Sequence, residues 1–125
     1  MILGLVGNTL TIEWEWFEQL WAFNFEPTME IPFDRIESAS TQEPPSDWLE
    51  LRAPGTCVPG LIKAGTYYTR RGKEFWYVTQ QQNYLVLKLR DFDYKTIVLT
   101  LDNAESWSER INLTVNQNAS DALRL

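Results

Sequence analysis

Histidine is absent from the chain, and cysteine occurs once, as Cys57. The first absence excludes a Ser–His–Asp triad, a histidine zinc site and an imidazole proton shuttle. The second excludes an internal disulfide and a cysteine-cluster metal centre. Lys and Arg are missing from residues 1–34. Apolar runs never approach the roughly 20 residues needed to span a bilayer. The apolar start, Met1 to Gly7, has neither the cationic flank nor the small-residue cleavage site of a secretory signal, so a cytoplasmic protein is expected.

What remains is a chain of 125 residues and 14.6 kDa, the size of one domain with one hydrophobic core. Its net charge of −6 and pI near 4.6 argue against a nucleic-acid ligand and against an anionic membrane surface. The charge is localised. Glu13, Glu15, Glu18, Glu26, Glu30 and Asp34 give the first 34 residues the whole −6, and the other 91 residues hold 11 cations against 11 anions. The same acidic segment holds Trp14, Trp16, Phe17, Trp21, Phe23, Phe25 and Phe33, seven of the 17 aromatic residues, so it is both charged and sticky.

Strand patterns dominate. Residues 9–16 alternate, with Leu10, Ile12, Trp14 and Trp16 on one face and Thr9, Thr11, Glu13 and Glu15 on the other. Residues 17–24 fit either one turn of helix or a wide connection, because Phe17, Leu20 and Trp21 keep helical spacing. Met29 and Ile31 predict a short strand that Pro32 ends, and Ile36 to Thr41 a further one. Residues 42–60, with Pro44, Pro45, Pro54 and Pro59, read as the longest irregular region, within which 46–51 fits a short strand or a helical turn. From Ile62 onward a four-strand meander is expected over 62–70, 74–79, 84–90 and 96–101, with a hairpin turn at Arg71-Gly72-Lys73 and a chain reversal at Asp91 to Tyr94. The period then lengthens. Ala104, Trp107, Ile111 and Val115 fall on one helical face, and Asp102 or Asn103 suits the N-cap. The domain is expected to span 1–115, with 116–125 a polar, disordered tail.

Strings such as Ile31-Pro32-Phe33-Asp34-Arg35-Ile36-Glu37, Arg52-Ala53-Pro54-Gly55-Thr56, Pro59-Gly60-Leu61-Ile62 and Phe75-Trp76-Tyr77-Val78, followed by a helix carrying Trp107, resemble the bacterial pleckstrin-homology-like (PH-like) family of small proteins. The likeness spans roughly 5–113. It implies a mainly β fold, a PH-like split barrel of about seven antiparallel strands capped by one C-terminal α-helix. It also implies a binding or assembly module rather than an enzyme. Lipid-binding PH domains use Lys and Arg around the first hairpin, where this chain has none.

The residue chemistry agrees with a non-catalytic reading. Cys57 has no sequence-adjacent base to lower its pKa. Glu13 and Glu15 share the polar face of a strand, the place of solvated charges. No catalytic residue, cofactor or metal ligand is expected. Candidate binding residues are the aromatics Trp14, Trp16, Trp21, Tyr68 and Trp76 and the basic turn Arg70, Arg71 and Lys73, which suits either a bound anion or plain solubility. The expectation is a protein-binding or self-assembling module, with a protein partner or a homo-oligomer. The alternative is a small-ligand or lipid-binding β-barrel.

Overall fold

The computed structural model describes residues 1–22, 24–44, 51–58 and 62–123, with backbone alone for 51–58 and 118–123. Among these residues the protein is mainly β, with nine strands in two sheets and a long C-terminal helix. The smaller sheet is an antiparallel trio in the order β1 (Ile2–Val6), β2 (Thr9–Glu13), β3 (Thr28–Pro32). Sequence reading missed β1, although a hairpin signal was present. Val6 pairs with Thr9 across a two-residue loop, and Gly7 supplies the positive φ of 59° that the first loop residue of such a turn needs. Pro32 closes β3 as expected, and a single 3-10 turn, Phe33–Arg35, passes the chain to the second sheet.

The larger sheet runs β4 (Ile36–Ser40), β8 (Tyr84–Leu89), β9 (Thr96–Thr100), β7 (Gly72–Val78), β6 (Ile62–Thr69), β5 (Leu51–Val58). This order corrects the expected meander. β6–β7 and β8–β9 are hairpins, but β9 lies between β8 and β7 and pairs parallel with β7, Val98 beside Trp76. The physical reason is visible in β9 itself. Ile97, Val98 and Leu99 are all fully buried, a continuous apolar run that suits a central strand covered on both faces rather than an alternating, half-solvated one. The two sheets are not hydrogen-bonded into one closed barrel.

Strand β5 corrects a second expectation, since Leu51–Val58 lies within the stretch read as irregular. Pro54 misled the reading, because proline cannot donate to a ladder. β5 is an edge strand, and its register with β6 shifts between Arg52 and Gly55, where Pro54 lies. The expectation for 46–50 lies outside the described residues.

The sheets face each other across the main core. Leu10, Ile12 and Ile31 from the small sheet meet Phe75, Leu85, Leu87, Ile97 and Leu99 from the large one. Each such side chain stabilises the fold by about 1.5–3 kcal/mol relative to exposure. A second cluster, Tyr67, Trp76, Tyr84, Val86 and Val98, sits on the opposite face of the large sheet.

The C-terminal helix α2 (Ala104–Leu123) begins as expected: Asn103 is its N-cap, accepting from the Trp107 amide at 3.1 Å, and Ala104, Trp107 and Ile111 enter the core. It runs to Leu123, past the limit drawn at 115, so most of the expected tail is helical. The apolar period fades there, but residues 104–123 contain neither Gly nor Pro to stop the helix. Asn112 does a strand's work. Its side-chain amide donates to the Ala39 carbonyl and accepts from the Ala39 amide, both at 2.9 Å, so the open edge of β4 is closed by a side chain. Asn112→Leu is expected to leave both Ala39 groups unpaired and to lower unfolding stability by about 1–3 kcal/mol, read as an earlier urea midpoint.

Candidate functional site

The site grows from the connection between β2 and β3. The hairpin ladder continues one step past Glu13 and Thr28, because the Trp14 amide donates to the Pro27 carbonyl at 2.8 Å. That bond necks off residues 15–26 as an excursion. Helix α1 (Trp16–Ala22) forms its first half, settling the choice between helix and connection. Glu15 caps the helix, its carbonyl accepting from the Gln19 amide at 3.1 Å, and the Glu18 carboxylate reaches back to the Glu15 amide at 2.8 Å. After Ala22 the Asn24 amide donates to the Gln19 carbonyl, and the Asn24 side chain accepts from the Glu26 amide, turning the chain toward β3.

The amphipathicity of α1 is reversed. Its buried residues are Glu18 and Ala22, one turn apart, where the helix meets β5 and β6. Glu18 tolerates burial because it also pairs with the Met1 ammonium. Its large apolar residues face solvent: Trp16 is 71% exposed and Leu20 62%, with Phe17 and Trp21 about half exposed and Phe25, just beyond the helix, 84% exposed. Trp16 and Phe17 stand edge to face, ring centroids 5.9 Å apart. Around them Glu13, Glu15, Glu26 and Glu30 are exposed, and none has an ion-pair partner among the described residues. An exposed apolar, aromatic surface thus belongs to a segment whose exposed charges, its acidic rim, are all carboxylates.

The expected candidates divide. Trp16 and Trp21 share α1, although Trp16 was expected on the inward face of a strand; β2 ends at Glu13, three residues too early to carry it there. Trp14 is a core residue, its ring 5.4 Å from Phe75 and 5.5 Å from Tyr77. Trp76, a candidate binding residue, is buried. It lies on the second face of the large sheet as alternation requires, but that face is covered and Trp76 is only 3% exposed. Lys63 lies over it, the ammonium 3.8 Å from the ring centroid. Tyr68 is half exposed on β6.

The basic turn is mostly occupied from within. The Arg71 guanidinium holds the buried Glu74 carboxylate at 3.1 Å, and Glu74 also accepts from the Trp76 indole N–H at 3.1 Å. Lys73 pairs with Asp93 at 3.7 Å and lies over the Tyr94 ring. Arg70 is exposed. The residues that sequence reading did not select are Phe17, Leu20 and Phe25. Their helical spacing was visible, and the missing clue was that the intervening positions offered only Glu18 and Ala22 for an inner face.

Comparison with family models, with curated proteins and with solved structures finds no match for the chain. Among the described residues no helix is long and apolar enough to cross a membrane.

Two outcomes follow from these contacts. Arg71→Ala strands the Glu74 carboxylate in the sheet and is expected to lower stability by about 3 kcal/mol in urea titration, whereas Arg70→Ala leaves the midpoint within about 0.5 kcal/mol. Tyr77 is pushed up to about 12, first by burial and then by the Glu18 carboxylate. The unfolded chain releases this proton near pH 10 and the folded one near 12, so the stability it contributes is complete below pH 10 and is lost as pH rises toward 12. Tyr77→Phe is expected to lose less of its urea midpoint between pH 10 and 12 than the wild-type protein.

Proposed function

We propose that the chain is a cytoplasmic, non-catalytic, PH-like protein-binding module that docks a basic, amphipathic segment of another protein on the outward face of α1. The observation that carries this is the cluster of Trp16, Phe17, Leu20, Trp21 and Phe25 held in solvent within a segment that has no cation. A contiguous apolar patch of this kind marks an interaction surface in soluble proteins. Its aromatic make-up suits the core of an interface and its charged surroundings suit the rim. The acidic rim selects the partner. A cationic segment is steered toward it, while a second copy would bring like charges together.

The PH-like reading is supported by a strand-rich body followed by a helix that buries Trp107 against it; the parallel β7–β9 pair departs from an all-antiparallel barrel. The small-ligand barrel loses support because the space between the sheets is filled by Leu10, Ile12, Ile31, Phe75 and their neighbours.

The test is fluorescence anisotropy with a labelled Lys/Leu amphipathic helix peptide and its Glu/Leu counterpart. The Lys peptide is expected to bind, more weakly as salt rises, and the Glu peptide not to bind. Trp16 and Leu20 are the most exposed residues of the helix face, so Trp16→Ser with Leu20→Ser should weaken binding at least about tenfold with little change in thermal midpoint. Equal binding by that variant overturns the proposal. So does a salt-insensitive dimer that hides Trp16 and Trp21, or stronger capture by zwitterionic phosphatidylcholine vesicles than by the peptide.

A further inference from the structure

Beyond Phe25 the chain borders an open cleft of about 420 Å³ between the start of β3 and the β8–β9 turn. Its walls include three aromatic rings, Phe25, Phe92 and Tyr94, and three carboxylates, Glu26, Glu30 and Asp93. We propose that this cleft receives a single cationic side chain, an alkylammonium or a guanidinium. The inference deepens the docking reading and rests on it in one respect: the cation is taken to belong to the same basic partner segment.

Three observations support the assignment. The first is the lining itself. Ring faces carry negative charge density and attract cations, and carboxylates at the same opening add a direct charge term. Among the described lining residues none is Lys or Arg, and the nearby Lys73 engages only the Asp93 and Tyr94 side of the cleft. The second is that the chain already uses this recognition at one wall. Lys73 places its ammonium 4.9 Å from the Tyr94 ring centroid and 3.7 Å from the Asp93 carboxylate. Asp93 is thereby partly satisfied, while Glu26 and Glu30 on the facing wall have no ion-pair partner among the described residues. The third is continuity. Phe25 lines the cleft and lies three residues past the end of α1, so a bound segment lying on the helix has its next residues near the cleft mouth.

The framework favours a preformed site. Asn24 holds the turn into Glu26, and the Trp14–Pro27 bond fixes where β3 begins. On the other wall Tyr94 packs on the core, its ring 5.5 Å from Phe75. Neither wall must be rebuilt when a cation enters, so little ordering cost is added.

The experiment is an amide NMR titration of the whole chain with butylammonium chloride and butylguanidinium chloride, against sodium chloride at equal ionic strength. Saturable shifts are expected at Glu26, Glu30, Phe92 and Tyr94 with the organic cations and not with sodium. Glu26→Gln with Glu30→Gln should weaken the affinity about tenfold, and Phe92→Leu, which keeps an apolar wall but removes the ring, about two- to fivefold. The spectra report at the same time whether each variant is folded. Shifts matching those of sodium chloride, or affinities unchanged in both variants, overturn the inference. The probes carry no amphipathic segment, so failure of peptide docking on α1 leaves this titration untouched. Conversely, peptide binding that survives loss of the cation shifts overturns the cleft assignment alone.

Discussion

Everything in the fold is arranged around β9. A strand whose Ile97, Val98 and Leu99 are all fully buried must be covered on both faces and paired along both edges. The large sheet does this by placing β8 on one side and β7 on the other, with the small sheet over the first face and the aromatic cluster of Tyr67, Trp76 and Tyr84 on the second. The cost is topological: β7 and β8 are separated although they are neighbours in sequence, and one pairing becomes parallel. The space between the sheets holds aliphatic and aromatic core side chains alike, among them Leu10, Ile31, Trp14, Phe75 and Trp107. The excursion over residues 15–26 instead holds five exposed large apolar side chains, Trp16, Phe17, Leu20, Trp21 and Phe25.

The charges follow the same division between framework and surface. In the body, cations are committed to local work: Arg71 neutralises the buried Glu74, Lys73 faces Asp93, and Arg35 bridges toward Asp91. Arg90 is tied to the backbone carbonyl of Asp34. Of the carboxylates in the first 34 residues only Glu18 is buried, and the other glutamates stand in solvent. The net charge of the protein is thus carried by the same segment that exposes the large aromatic side chains.

Much of this was legible in the sequence, and the failures have identifiable causes. Alternation located β2, β3, β6, β7, β8 and β9, and the shift to helical spacing located α2, although β7, β8 and β9 bury residues on both faces. Pairing order was not legible, since period two states which face is buried but not which neighbour lies alongside; only the unbroken run at Ile97 to Leu99 hinted at a central strand. Pro54 disguised β5 because an edge position excuses what a central one forbids. For the candidate site, the aromatic excess was visible, but a tryptophan looks the same in a sequence whether buried or exposed. Trp14 and Trp16, two residues apart, ended in opposite environments because the last ladder hydrogen bond holds Trp14 while α1 begins at Trp16.

The Asn112 contact with Ala39 carries one more consequence. Apolar packing alone tolerates a helix that slides or rotates slightly, since one methyl group replaces another at small cost. A primary amide matched to one peptide unit does not. Moving α2 by a single turn, about 5.4 Å, would carry Asn112 out of reach of both groups at once. The asparagine therefore acts as an indexing pin, fixing the helix at one axial setting on β4 and with it the depth to which Trp107 enters the core.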